Sequence, residues 1–283
     1  MPSPRALLTA RQLKPKKQLG QNFLADPSTA AMIVSRSQLS ADDIVLEIGA
    51  GLGALTLPAA RCVKRVYAVE KDRDLYGILA SEIAGHGIEN INLIRSDIFD
   101  VDIAAMATAE NRRLVVLGNL PYNISSPVLF YLMASRSSVS RAVLMFQKEV
   151  AQRLTAGPET KEYGRLAVML QYAADIRPLA SVAAHLFSPK PKVDSVVVEI
   201  RFKEIIPDPA VDESRFSAIV KAAFGKRRKT LKNTLADSDL DIGPETAVRF
   251  LMLAGIDPGR RAETMSVAEF VALEHAFAGE WDA

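Results

Sequence analysis

Ile44-Val45-Leu46-Glu47-Ile48-Gly49-Ala50-Gly51-Leu52-Gly53-Ala54 is the stretch on which the fold turns. Its first five residues form an apolar run with one acid, the pattern of a buried strand. The glycines allow a tight turn and a close backbone approach to a ligand. Gly53 to Cys62 then reads as a helix whose free N–H groups would face that ligand. Outward from this unit the pattern repeats. Arg65 to Val69 reads as a second strand, Asp72 to Ala84 as a second helix, and Ile91 to Ile94 as a third strand. Leu114 to Leu117 is a fourth strand, Ser125 to Ala134 a helix, and Ala142 to Phe146 a fifth strand. This alternation predicts an α/β fold with a doubly wound, mainly parallel sheet and right-handed crossovers. Asp194 to Phe202 is strand-like with no helix after it and is expected to pair antiparallel in a hairpin at the sheet edge.

Ile206-Pro207-Asp208-Pro209 reads as a linker, because two prolines discourage helix. Beyond it, helical patterns over Glu213–Phe224, Lys229–Ala236, Pro244–Ala254 and Ser266–Ala278 predict a small all-helical C-terminal domain. Ser266 followed by Glu269 fits a capping box. The expected division is a basic segment over 1–13 whose order the sequence leaves open, an α/β domain over 14–204, and a helical domain over 210–283. Cys62 reads as a buried helix residue, and Leu251-Met252-Leu253 as core.

The chain has 283 residues, 49% hydrophobic and 24% charged, which suits a soluble globular protein. No apolar run approaches the length of about 18 residues that a membrane-spanning helix needs. The first ten residues lack the apolar core of a secretory signal. The expected location is cytoplasmic, with no membrane partner. A single cysteine excludes an internal disulfide. With His86, His185 and His275 scattered, it also argues against a metal site and so against the zinc deaminases. The net charge is only +2 but is unevenly spread. Arg5, Arg11, Lys14, Lys16 and Lys17 crowd the start, and Lys221, Lys226, Arg227, Arg228, Lys229 and Lys232 form a second cluster, neither containing an acid. Such clusters point to a polyanion or are simply solvated faces.

The glycine loop by itself is ambiguous. Gly49, Gly51 and Ala54 satisfy the dinucleotide fingerprint, and Glu70, 19 residues after Gly51 at the end of a strand, suits a ribose hydroxyl. A nucleotide-type cofactor is indicated, and a nicotinamide dehydrogenase competes at this point with other users of that loop. Asp97, in Arg95-Ser96-Asp97-Ile98-Phe99, can accept from an adenine amino group with Ile98 beside the ring, or can cap a loop.

The fourth strand runs into Gly118-Asn119-Leu120-Pro121-Tyr122-Asn123. This resembles the Asn-Leu-Pro-Tyr motif of the adenine-N6 methyltransferases. It lies at the carboxyl end of a strand, where doubly wound folds bind ligands. The residue types suit the chemistry. An adenine amino nitrogen is a poor nucleophile because its lone pair is delocalised into the ring. The Asn119 side-chain oxygen and a main-chain carbonyl such as that of Leu120 can each accept one N6 hydrogen, which aims the lone pair. Pro121 stiffens the loop, and Tyr122 can stack on the base, at about 1–3 kcal/mol per base in comparable sites. Positioning, rather than a base of shifted pKa, then supplies most of the effect. A dehydrogenase has no use for these residues, so the cofactor reading moves to S-adenosylmethionine (SAM) and the fold to a Rossmann-like SAM-dependent methyltransferase domain.

Three further motifs extend the resemblance: Lys16-Lys17-Gln18-Leu19-Gly20-Gln21-Asn22-Phe23-Leu24, Leu186-Phe187-Ser188-Pro189-Lys190-Pro191-Lys192-Val193-Asp194-Ser195, and Ala223-Phe224-Gly225-Lys226-Arg227-Arg228-Lys229-Thr230-Leu231. Together these resemble the bacterial small-subunit ribosomal RNA adenine dimethyltransferases, the KsgA/RsmA family, over nearly the whole chain. The resemblance implies that Asn22 and Leu24 contact the methionine and ribose region of SAM. It places Gly49, beside Gly51, at the methionine portion, Glu70 at the ribose hydroxyls, Asp97 and Ile98 at the adenine, and Asn119 at both donor and target. Phe187 would face Tyr122 across the flipped target base, with a core aromatic as the alternative. Lys16, Lys17, Lys190, Lys192, Lys226, Arg227, Arg228 and Lys229 would hold RNA phosphates. The implied reaction is N6-dimethylation of two adjacent adenosines near the 3′ end of 16S ribosomal RNA, late in small-subunit biogenesis, by a monomer without metal.

Two other readings stay open. One is a large-subunit RNA methyltransferase of the antibiotic-resistance type, which shares the core; Arg227-Arg228-Lys229-Thr230-Leu231 and Leu120 favour the small-subunit group. The other is a non-enzymatic assembly or transcription factor, against which Glu70, Asp97 and Asn119 argue.

Overall fold

The structure, a computed structural model, describes residues 3–226 and 228–281. Its strands are β1 (Phe23–Leu24), β2 (Ile44–Ile48), β3 (Arg65–Val69), β4 (Ile91–Ile94), β5 (Leu114–Asn119), β6 (Val139–Gln147), β7 (Ala174–Val182), β8 (Phe187–Ser188) and β9 (Ser195–Phe202). Seven of them form one sheet in the order β4-β3-β2-β5-β6-β9-β7, while β1 and β8 pair separately and antiparallel. Neighbours from β4 across to β6 run parallel, and β9 runs antiparallel to β6. The sheet is doubly wound. From β2 the chain builds outward through β3 to β4, then returns to place β5 on the other side of β2. The order reverses between β2 and β5, and that is where such folds leave a ligand crevice.

Burial explains the central strands. All five residues of β2 are buried, including Glu47, and so are the first five of β5. A parallel sheet covered on both faces selects such continuous apolar runs. The edge is less legible. β9 is antiparallel as expected but is flanked by β7, which forms the edge itself. Asp175, Arg177 and Pro178 hide β7 in the sequence; proline and exposed charge are tolerated on an edge strand, where one side of the backbone needs no ladder partner.

The chain divides into two compact units, Met1–Ala151 with Asp175–Phe202, and Gln152–Ala174 with Lys203–Ala283. Residues 152–174, read from sequence with the sheet, therefore belong with the helices. The basic start contains a helix, Pro4–Ala10, capped by Ser3. Its Leu8 is buried with Phe23, Leu52, Leu75 and Ile78. In the second unit, helices Arg165–Ala173, Glu213–Ala223, Leu231–Ala236, Pro244–Leu253 and Val267–Trp281 enclose Phe216, Phe250, Phe270 and Phe277. The capping box forms: Ser266 N donates to Glu269 Oε2 at 2.7 Å and Glu269 N to Ser266 Oγ at 3.2 Å.

Three smaller expectations are corrected. Leu251 is buried, but Met252 and Leu253 are exposed at the end of their helix. The helix after the glycine loop spans only Thr56–Ala60, because Gly49, Gly51 and Gly53 all take positive φ and the chain is still turning there. Cys62 falls beyond that helix and is exposed. Among the described residues, no helix is long and apolar enough to cross a membrane and no cluster of His, Cys, Asp and Glu could hold a metal ion.

Candidate active site

Because β2, β3, β4 and β5 run parallel, the loops leaving their carboxyl ends share one edge of the sheet. These loops carry Gly49–Gly53, Glu70–Asp72, Ser96–Ile98 and Leu120–Asn123. With the segment 18–23 they line a cavity of about 310 Å³, within the range of ligand sites. Of the residues expected to bind a cofactor or act on a target, Asn22, Gly49, Gly51, Glu70, Asp97, Ile98, Asn119, Leu120, Pro121 and Tyr122 all line it.

The glycine loop folds back on β3, with Gly49 N and Ala50 N donating to Val69 O at 2.9 and 3.0 Å. Glu70 is buried and holds the loop: its Oε2 accepts Gly51 N at 2.8 Å, and its Oε1 accepts Asp72 N at 2.7 Å. A carboxylate has about four acceptor positions, so Glu70 keeps acceptor capacity for a ligand. Burial raises the Glu70 carboxyl above its ordinary value, and the Asp72 and Gly51 N–H groups oppose that rise. Asp97 caps the turn Ile98–Asp100 through Phe99 N and accepts Lys71 Nζ at 2.6 Å. The Lys71 ammonium holds its carboxyl below the ordinary range.

Asn119 ends β5. Its Nδ2 donates to the Asn22 carbonyl at 2.9 Å. A carbonyl oxygen only accepts, so this bond decides which way the amide faces and leaves Oδ1 as the free acceptor. Gly20 lets the two loops meet: at φ +61, its absent Cβ would lie 3.2 Å from Asn123 Oδ1 and 3.3 Å from Pro121 Cβ. Tyr122 is half-buried and its hydroxyl lies 3.2 Å from Ser195 Oγ.

Three of the expected residues stand apart from this set. Leu24 lines an adjoining cavity of about 480 Å³ behind the glycine loop rather than the first. Phe187 is buried in the core cluster with Leu24, its partner in the β1–β8 pair, and does not line the site. Lys16 is not a free cation: its Nζ bridges Asp72 Oδ1 at 2.9 Å and Asp74 Oδ2 at 2.8 Å. Burial would raise the Asp72 carboxyl, but Lys16 and Gln21 outweigh it and hold it below its ordinary value.

Residues 12–278 match the family described as ribosomal RNA adenine dimethylase. The chain belongs to that family. It is 49% identical to the ribosomal RNA small subunit methyltransferase A of Desulforapulum autotrophicum over 98% of this chain and 96% of the relative. It is 42% identical to the protein of the same name from Myxococcus xanthus, over 98% and 95%. In fold it is similar to a dimethyladenosine transferase from Plasmodium falciparum, with TM-score 0.78 and 24% identity over 91% of this chain and 98% of that one. The 23S rRNA methyltransferase ErmE gives TM-score 0.67 and 24% identity over 90% and 99%.

Membership in the ribosomal RNA adenine dimethylase family makes this an enzyme acting on RNA, and the basic residues divide accordingly. Lys190 and Lys192 are exposed on either side of a buried Pro191. In the helical unit Arg228 and Lys229 are exposed, whereas Lys226 pairs with Asp237 at 3.0 Å. Arg227 and the Lys17 side chain lie outside the described residues. Sequence reasoning missed Gln21, Lys71 and Asp72. Gln21 Nε2 donates to Asp72 Oδ2 at 2.9 Å, which ties the segment 16–22 to the loop after β3. The signal for Asp72 was present, since it is an N-cap directly after Glu70-Lys71.

Proposed function

We propose that this enzyme transfers methyl groups from SAM to N6 of two adjacent adenosines near the 3′ end of small-subunit ribosomal RNA, two to each. The observation that carries the reading is the orientation of Asn119, whose oxygen is left free as an acceptor in a cavity shared with Gly49, Glu70 and Asp97. The names of the curated relatives support the small subunit over the large.

The site fits SAM. Gly49 and Gly51 take φ +72 and +57, and nothing but Pro121 Cδ at 3.9 Å would meet a Cβ on Gly49, so the backbone lies open to a ligand. Glu70 has acceptor capacity left for ribose hydroxyls, and Asp97 for an exocyclic amine. Bound there, SAM supplies an electrophilic methyl carbon on a sulfonium centre. The chain's own work is at the adenine. Asn119 Oδ1 accepts one N6 hydrogen, and a carbonyl of the Leu120–Pro121 loop the other, which localises the lone pair for attack. As the N–C bond formed, the methyl–sulfur bond would break with its electron pair going to sulfur, leaving a neutral thioether, and the cationic N6 would give its proton to water. A monomethylated N6 keeps one hydrogen for one acceptor, so the same loop serves the second transfer. Tyr122 holds the ring by stacking, and unstacking the target costs least where the base is already unpaired.

The test is incubation with labelled SAM and small ribosomal subunits from a strain lacking the modification. Dimethyladenosine near the RNA 3′ end is expected. Transfer to large-subunit RNA instead would favour the resistance-type reading, and tight subunit binding without transfer a non-catalytic assembly factor. Asn119→Ala is expected to lower kcat by about 10²–10³-fold, the scale seen when one positioned polar contact is removed, with RNA binding retained.

A further inference from the structure

The segment Pro191-Lys192-Val193-Asp194-Ser195 enters β9, and its last two residues lie outside the cavity. Both are tied inward. Asp194 Oδ1 accepts Ala184 N at 2.9 Å, fixing the turn that leads into β8, and its carbonyl accepts Lys148 N at 3.0 Å. Ser195 has no exposed surface and stands opposite Gln147 in the β6–β9 ladder. Its Oγ lies 3.2 Å from the Tyr122 hydroxyl.

Tyr122 lines the cavity and Ser195 does not. The Tyr122 hydroxyl is thus engaged by a group outside the cavity, and burial raises its pKa, so it is neutral at working pH. What the ring can offer a base is its aromatic surface. Tyr122 begins the short turn Tyr122–Ile124, whose backbone places the ring but leaves its side-chain torsions to what the ring and hydroxyl touch. Ser195 is fully buried, and its backbone is held opposite Gln147 where the β6–β9 ladder begins.

We propose that Ser195 is a positioning residue for the target adenine: it pins the Tyr122 hydroxyl and so fixes the orientation of the ring against which the base stacks. This rests on the reading that the cavity takes an adenine.

The experiment compares Ser195→Ala, Tyr122→Phe and the double variant, in the full chain, on small ribosomal subunits lacking the modification. SAM affinity is measured by calorimetry and stability by thermal unfolding. Each single variant is expected to lower kcat about three- to tenfold, the scale of one neutral hydrogen bond, with SAM affinity unchanged. The double variant should lose no more than either single one, because both remove the same bond. Multiplying losses would overturn the proposal, as would wild-type kcat in Tyr122→Phe. That variant keeps the ring and the fold, so it decides the matter even if Ser195→Ala fails to fold. A wild-type enzyme without activity on these subunits would instead sink the functional reading, and the two failures are distinct.

Discussion

Glu47 lies in the middle of β2 with 3% of its surface exposed, at the wall of the cavity behind the glycine loop. Its Oε2 finds no hydrogen-bond partner among the described residues, nor does the nearby Thr56 Oγ1. Burial, opposed by the adjacent Thr56 hydroxyl and N–H and reinforced by the Glu70 charge, pushes its pKa from 4.5 to about 8. The folded protein therefore holds at neutral pH a proton that the unfolded chain releases. The stability this protonated carboxyl allows is present in full below about pH 4.5 and is lost as pH rises to about 8, since folding takes up a proton across that window. The loss is about 1.4 kcal/mol per pH unit and about 5 kcal/mol in all. Glu47→Gln removes the titration and keeps the shape. Its new N–H group costs about 1–3 kcal/mol where it finds no acceptor, at every pH. The variant should be less stable than wild type at pH 5 and more stable at pH 8, with the curves crossing between about pH 5 and pH 7. Urea unfolding of both proteins from pH 5 to pH 9, followed by far-ultraviolet circular dichroism, reads the difference, in which the titrating groups not coupled to Glu47 cancel. A difference that stays constant with pH would show that Glu47 is ionised in the fold and that the reasoning is wrong.

The remaining predictions concern the loops and the RNA. Gly53→Ala places a Cβ 2.6 Å from Leu79 Cδ1 at φ +85, and should destabilise by about 2–4 kcal/mol through strain and overpacking together. Gly87→Ala, at φ +60 with nothing within 4 Å, is the comparison that isolates the backbone part, about 1–2 kcal/mol by thermal unfolding. Lys16→Met should weaken SAM binding about two- to tenfold by calorimetry, because the ammonium that ties segment 16–22 to Asp72 and Asp74 is gone; an effect on RNA affinity alone would restore it to the phosphate-binding set. Lys229→Ala should lower the slope of log affinity for RNA against log salt by about 0.7–0.9, one phosphate contact, whereas Lys226→Ala, already paired with Asp237, should change it less.

The parts of the fold that were legible are those where local pattern and tertiary burial agree. β2, β3 and β4 lie where the apolar runs put them, and β2, inside the sheet, is buried along its whole length. β7 and the helix Arg165–Ala173 were not legible. The first carries edge-strand polarity, and the second packs with helices some 40 residues further on, as in the Tyr172–Phe216 ring contact at 4.5 Å. The loop 119–122 was legible as part of the cavity wall because its residues are consecutive and follow a strand. The pairing of Lys16 was not legible for the opposite reason: its partners are 56 and 58 residues away, and no local pattern distinguishes a paired lysine from a solvated one. Phe187 belongs to the same class, a motif position whose burial depends on the β1–β8 pair.

These distant pairings explain why the glycine loop could not identify its cofactor. The loop itself supplies only open backbone, which a dinucleotide would use equally well. What distinguishes this site is a chain of bonds around it. Lys16 N donates to Gln21 Oε1, Gln21 and Lys16 both bind Asp72, Asp72 N binds Glu70, and Glu70 binds Gly51. On the other side Asn119 binds the carbonyl of Asn22, the residue after Gln21. The segment 16–22 thus joins the acid expected to take ribose to the amide expected to take the target amine. Any change in that segment must shift both sites together, which makes coupled losses in cofactor affinity and kcat the signature of damage there, and an isolated loss of kcat the signature of damage at Tyr122 or Ser195.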